Sequence, residues 1–225
     1  MSWREWVRDA EVEPSLYAAD FACLGEQIDV LLRAGCRIFH FDVGDGHFVE
    51  PVTIGPIVLQ SISPIVHRHG GAIEVHLMVE NPATYFPPVA AAGGDSVTFH
   101  YEAVADVPAT MRAAREQALE VGVAFNPESD PTDVAHVAGD ADLVLCMGIH
   151  PGYSGQPFRE DTVGRVAALR SALPERVLIQ VDGGVGSDNV RRLADEGAGL
   201  LVAGSAIFGR DDVAAAYTEL AHTVA

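Results

Sequence analysis

The sequence predicts an α/β chain folded as one closed (β/α)8 TIM barrel. Three observations predict it. Short apolar runs alternate with amphipathic stretches along the chain, eight of each, which implies a parallel sheet with right-handed helical crossovers. A length of 225 residues suits eight such units around one core. Residues able to do chemistry recur at the C-terminal ends of the runs, where barrels gather them.

The elements follow in order. Val12–Leu16 reads as a strand, followed by a helical pattern over Asp20–Ala34 with Asp20 placed to cap it and Glu26 further on. Arg37–Phe41 leads to Ile57–His69, and Ile73–Leu77 to Ala83–Ala92. Ser96–Phe99 precedes the pattern Val107–Glu120. Gly122–Phe125 precedes Thr132–Ala138, where Asp130-Pro131 offers a first-turn proline. Leu143–Met147 precedes Arg159–Leu173. Val177–Val181 precedes Ser187–Glu196, which opens on Ser-Asp-Asn and stops before Gly197. Gly199–Ala203 leads to Val213–Val224. No linker or low-complexity tract interrupts the pattern, so residues 1–225 read as a single domain. An open dinucleotide-binding sheet would need a glycine-rich turn after its first strand, and Ser15-Leu16-Tyr17-Ala18-Ala19-Asp20 contains no glycine.

Composition narrows the chemistry. The formal charge of −18 argues against nucleic acid and anionic membranes, whose phosphates need clustered Lys and Arg. No apolar run is long enough to span a bilayer. The first residues, Met1-Ser2-Trp3-Arg4-Glu5-Trp6, lack the apolar stretch of a secretory leader. Three scattered cysteines, Cys23, Cys36 and Cys146, fit a reduced, cytoplasmic protein. All 14 basic residues are arginines. Schiff-base aldolases, pyridoxal-phosphate enzymes and lysine-dependent phosphosugar enzymes all require a lysine amine, so those chemistries are excluded.

Four residues at strand ends form the main constellation: His40 and Asp42 on the second strand, His76 on the third and Asp182 on the seventh. His40 and Asp42 are two apart and share a face. Two imidazoles and two carboxylates at one barrel end suit one divalent ion, with zinc, iron(II), manganese and cobalt ahead of calcium or magnesium. His47 and His100 read as loop residues after the second and fourth strands, exposed to solvent or else in contact with substrate, and His67, His69 and His136 as helix-surface residues. Glycine-rich turns follow the sixth, seventh and eighth strands: Pro151-Gly152-Tyr153-Ser154-Gly155-Gln156, Gly183-Gly184 and Gly204-Ser205. Such turns let backbone N–H groups approach an anion, so a phosphorylated substrate is expected.

Together these segments resemble the ribulose-phosphate 3-epimerase family over Pro14 to Phe208. The resemblance rests on His40-Phe41-Asp42-Val43 with Asp45-Gly46-His47-Phe48-Val49, on Val75-His76-Leu77-Met78, on Val181-Asp182-Gly183-Gly184-Val185 and on Ala203-Gly204-Ser205-Ala206-Ile207-Phe208. It implies that His40, Asp42, His76 and Asp182 bind one divalent metal and that Asp42 and Asp182 are also the catalytic acid and base. It implies substrate contacts from Ser15 and the glycine turns Gly152, Gly155, Gly183, Gly184, Gly204 and Ser205, and a homo-oligomer. His76, Met78, Met147 and His150 complete the expected substrate-binding set. The residues fit such chemistry: removing a proton beside a ketone on one face and returning one on the other needs two opposed carboxylates, and a metal stabilises the cis-enediolate between.

The expected reaction is D-ribulose 5-phosphate to D-xylulose 5-phosphate. Departures from the family pattern keep alternatives open. Gly44 stands for a methionine, which suggests room for water or another substrate group. His150 stands for Asn, Ser154 for Gly, Glu50-Pro51 for Pro-Asn and Leu16-Tyr17 for Ile-Leu. The alternatives are 3-epimerisation of a hexulose 6-phosphate or a tetrulose phosphate, a non-catalytic sugar-phosphate binder, and a metal-dependent aldolase.

Overall fold

The structure is a computed structural model and describes residues 3–7, 10–153 and 155–225. Eight parallel strands form one sheet: β1 (Glu11–Pro14), β2 (Ile38–Gly44), β3 (Ala72–Met78), β4 (Ser96–His100), β5 (Glu120–Phe125), β6 (Leu143–Met147), β7 (Leu178–Asp182) and β8 (Leu200–Ala203). Their order around the sheet is β1-β8-β7-β6-β5-β4-β3-β2, and a parallel bridge from Ser15 to His40 brings the two ends together. This is the (β/α)8 TIM barrel that the alternating pattern predicts.

The strands are almost wholly buried because both faces are covered. On β2, Phe39, Phe41 and Val43 pack outward with the helix residues, while Ile38 belongs to an inner cluster with Ala72, Leu143, Leu145 and Leu200. A short helix α1 (Trp3–Trp6) joins that inner cluster through two buried tryptophans set edge-on at 5.2 Å, closing the N-terminal end of the barrel. The other helices are α2 (Leu24–Arg33), α3 (Pro56–Arg68), α4 (Phe86–Ala91), α5 (Val107–Arg115), α6 (Pro131–Ala138), α7 (Asp161–Ala172), α8 (Val190–Asp195), α9 (Ser205–Phe208) and α10 (Val213–Val224). No helix among the described residues is long and apolar enough to cross a membrane.

Local signals succeed and fail for identifiable reasons. Asp130 caps α6 by accepting from Thr132 N at 2.7 Å, with Pro131 in the first turn. Gly197 follows α8 with φ of 104°. Asp20 does not cap α2, whose N-cap is Cys23. Its carboxylate instead accepts from Ala22 N two residues on, a local turn that wins because a 3-10 segment Leu16–Ala18 delays the helix. α9 falls in the stretch after β8 that carries no helical period of its own, being one turn long.

Candidate active site

β2 and β3 pair residue for residue, with His40 opposite Glu74 and Asp42 opposite His76. That register places four polar side chains on one inner face of two adjacent strands. All four are buried. Asp182 arrives from the last position of β7, three strands away in the other direction.

The four predicted ligands converge. Asp42 Oδ1 lies 3.0 Å from His40 Nε2 and 3.1 Å from His76 Nδ1. Asp182 Oδ2 lies 3.9 Å and 4.0 Å from the same nitrogens. One donor atom from each of the four lies within 4.8 Å of the others. These separations bracket the roughly 3.4 Å edge of a tetrahedron with 2.0–2.1 Å arms, so two nitrogens and two oxygens are spaced to share one divalent ion.

The surroundings hold each ligand in place. Ser15 Oγ donates to Asp42 Oδ2 at 2.8 Å. Thr53 Oγ1 donates to the Asp42 carbonyl at 2.8 Å and accepts from Gly44 N at 2.6 Å. Gly148 N donates to the Asp182 carbonyl at 2.7 Å, tying the loop after β6 to the end of β7. Arg165 donates to the carbonyls of Met147 and Asn126 at 2.7 and 2.8 Å, fixing the ends of β6 and β5.

Electrostatics separates the two carboxylates. Burial opposes the charge of Asp42, but His40 and His76 override it and hold the carboxyl well below its usual range. Burial pushes Asp182 up to about 6; His40 and His76 pull it down, while Asp42 and Glu74 push it higher. His40 is raised well above its ordinary value: burial works against its charge, and Asp42 and Glu74 more than compensate.

A polar layer that the sequence reading did not single out lies beneath. Glu74 Oε2 is 2.5 Å from His40 Nδ1, near enough for an ion pair, although the two are not aligned as a hydrogen bond. Glu13 on β1 accepts from Gln180 Nε2 on β7, and both are wholly buried. Burial and the Glu74 charge push Glu13 up to about 8. The available signal was the alternation itself: Glu74 sits two residues before His76, on the same face of an otherwise apolar strand.

The mouth opens into a cavity lined by Ser15, Asp42, Met78, Met147, Gly152, Gly155, Asp182, Gly183, Gly184, Gly204 and Ser205, together with Tyr17, Ile149, Pro151, Tyr153, Val185 and Val202. Gly183 and Gly184 have φ of 108° and 70°; a Cβ on Gly183 would stand 2.4 Å from Ile149 Cγ1. These turns exist because glycine alone fits both the dihedral and the space.

Some expectations need correction. His150 does not line the cavity; its ring is 59% exposed, with Nε2 3.3 Å from Glu128 Oε1. Gly44 does not open space, because a Cβ there would lie 2.8 Å from the Pro51 carbonyl and 2.9 Å from Val49 Cγ2. The loop after β2 folds back and fills the place of the missing side chain. His100 is the last residue of β4 and fully buried, not a solvated loop residue. Its Nε2 lies 2.9 Å from His76 Nε2. Burial and the neighbouring His76 draw His100 down to about 4, against a smaller opposing pull from Glu102. His47, His67 and His136 are exposed as expected. The exchange at Ser154 lies outside the described residues.

Comparison with known proteins places the chain in a family. Residues 11–208 match the model of the ribulose-phosphate 3 epimerase family. The ribulose-phosphate 3-epimerase of Bacillus subtilis is 37% identical over 214 residues, covering 93% of this chain and 97% of the relative. That of Escherichia coli K12 is 38% identical over 206 residues, covering 89% and 90%. Among solved structures, orotidine 5'-phosphate decarboxylase from Pyrococcus horikoshii superposes with a TM-score of 0.69 at 16% identity, covering 95% of this chain and 98% of that one. A 3-hexulose-6-phosphate synthase gives 0.68 at 21% identity, covering 97% and 100%. At such identities these two show a shared fold only.

Proposed function

Because the chain belongs to the ribulose-phosphate 3-epimerase family and is a carbohydrate epimerase, an isomerase, we propose that it interconverts D-ribulose 5-phosphate and D-xylulose 5-phosphate. The observation that carries this reading is the pair Asp42 and Asp182. They reach one cavity from β2 and β7, on opposite sides of the barrel mouth.

In this reading residues 1–225 act as one barrel domain. His40, Asp42, His76 and Asp182 hold one divalent ion, of which zinc, iron(II), manganese and cobalt suit the donor set. When bound, such an ion supplies Lewis-acid stabilisation of negative charge on the substrate oxygens. One aspartate takes the C3 proton from one face of the sugar, and the other returns a proton to the opposite face, inverting the carbon. Ser15, bonded to Asp42, holds that carboxylate and touches substrate. Met78 and Met147 give the reacting carbon an apolar wall that keeps water from competing. Backbone groups at Gly152, Gly155, Gly183, Gly184, Gly204 and Ser205 receive the phosphate, which lets an acidic, lysine-free protein hold a dianion.

The motives for a different ketose phosphate weaken, since the space beside Gly44 is filled and His150 faces Glu128. The test is incubation with D-ribulose 5-phosphate in D2O, with and without a chelator, following C3 by NMR. Chelator-sensitive deuterium entry with xylulose 5-phosphate appearing is expected. A folded, metal-loaded sample that exchanges nothing would refute the reading.

A further inference from the structure

Behind His76 runs a chain of contacts that no ligand role accounts for. His76 Nε2 faces His100 Nε2 at 2.9 Å, and the rings are nearly parallel with centroids 5.0 Å apart. His100 Nδ1 faces Glu102 Oε2 at 3.4 Å. The other carboxylate oxygen, Glu102 Oε1, accepts from Asn126 N at 2.8 Å and from Ser129 Oγ at 2.5 Å. Phe48 packs on the His100 ring with centroids 4.7 Å apart. Both imidazoles are fully buried. The chain therefore runs from β3 through the end of β4 to the loop after β5.

Hydrogen bookkeeping gives this chain a direction. Two ring nitrogens at hydrogen-bond distance share one hydrogen, so one of them donates. An ionised carboxylate only accepts, so Glu102 requires hydrogen on His100 Nδ1. A neutral His100 then has a lone pair on Nε2, and His76 must supply the hydrogen from its own Nε2. His76 Nδ1 faces Asp42 Oδ1 at 3.1 Å and donates to it when no cation is present. With Nε2–H committed to His100, Nδ1 is the His76 nitrogen that gives up its hydrogen and offers a lone pair to a cation.

We propose that His100 and Glu102 are positioning residues that fix the tautomer and ring orientation of His76 so that Nδ1 is the ligand atom. This rests on the reading of His76 as a metal ligand. The two imidazole ligands would then be backed differently: His40 directly by a carboxylate, Glu74, and His76 through a second imidazole. A carboxylate or neutral acceptor behind a metal-bound histidine raises its basicity and removes rotational freedom.

The test uses the full chain labelled with 15N at histidine, stripped of metal and then titrated with Zn2+ alone. Proton–nitrogen correlation spectra, assigned by single histidine substitutions, report which ring nitrogens carry hydrogen. The expected pattern is His100 with hydrogen on Nδ1 and none on Nε2, and His76 with hydrogen on Nε2 both before and after Zn2+. His100→Leu is expected to weaken Zn2+ binding about 10- to 100-fold. His100→Gln, whose carboxamide oxygen can accept from His76, should recover part of that loss, which a purely space-filling role would not require. If the Leu variant does not fold, Glu102→Gln replaces an acceptor with a group that can donate; His100 then loses its single tautomer and Zn2+ affinity falls severalfold. Hydrogen on His100 Nε2 in the wild type, or wild-type affinity in a folded Leu variant, would overturn the proposal. If the wild type binds no Zn2+, the metal reading fails, and the wild-type tautomer pattern alone decides whether the chain orients His76.

Discussion

The two halves of the barrel mouth hold their chemistry in opposite ways. On the β2–β4 side the functional atoms belong to side chains, buried and held by strand register: His40, Asp42 and His76 meet because β2 and β3 pair without offset. On the β6–β8 side the cavity is walled largely by glycine turns, and Asp182 at the end of β7 is the one carboxylate among that side's described lining residues. The first half is sensitive to losing a group. The second is sensitive to gaining one.

The largest effect should come from removing a proton carrier. Asp42→Asn and Asp182→Asn keep size and hydrogen-bonding shape but cannot accept a proton, so each should lower kcat by about 10²–10⁴-fold or more. Near-normal turnover in either variant would refute the two-carboxylate mechanism. On the other side, adding a single methyl group is the damaging change. Gly183→Ala forces a left-handed residue and a contact with Ile149, so it should cost about 2–4 kcal/mol in stability. A urea midpoint equal to the wild type would show that the turn relaxes, and the contrast between the halves would lose its basis.

A third prediction concerns the layer beneath the side-chain half. Glu13 ionises at about 8 in the folded protein against 4.5 as its ordinary value. Below 4.5 the group is protonated in both folded and unfolded chains and pH has no leverage through it. Above that, the unfolded chain gives up the proton and the buried group does not, so stability falls as pH rises until it passes about 8. Glu13→Gln, which can still accept from Gln180, should match the wild type in acid and exceed it at alkaline pH in denaturant unfolding. A constant difference across pH would mean that Glu13 is ionised when folded. The smallest effect belongs to the rim: His150→Ala should change kcat/KM less than about twofold, as exposed pairs contribute little. A tenfold loss would bring His150 into the substrate site.

Much of this was legible in one dimension. The strand segments from β2 to β8 follow from short apolar runs separated by amphipathic stretches, because a strand covered on both faces is mostly apolar and polar residues in it are few. Asp42, His76 and Asp182 were readable because each breaks such a run towards the C-terminal end of its strand, and His40 because it shares a face with Asp42 two residues on. Glu74, Glu13 and Gln180 break runs too, but in mid-strand, and nothing local says whether such a residue meets a partner inside the barrel. His100 looked like a loop residue because the apolar run ends at Phe99, one position before the strand does.

The order of apolar runs and the chemical types at their ends determined the barrel, the side on which the site lies and the kind of reaction those groups can support. Only the tertiary structure decided which atoms face one another. The β2–β3 register turned the spacing of histidines and acids into one cluster. The fold-back of the loop after β2 filled the gap at Gly44, and the pairing with Glu128 held His150 at the rim. Local propensity sets whether a residue sits on a strand and which face it takes. Distance between residues far apart in sequence depends on how whole strands align and loops pack, which no single segment encodes.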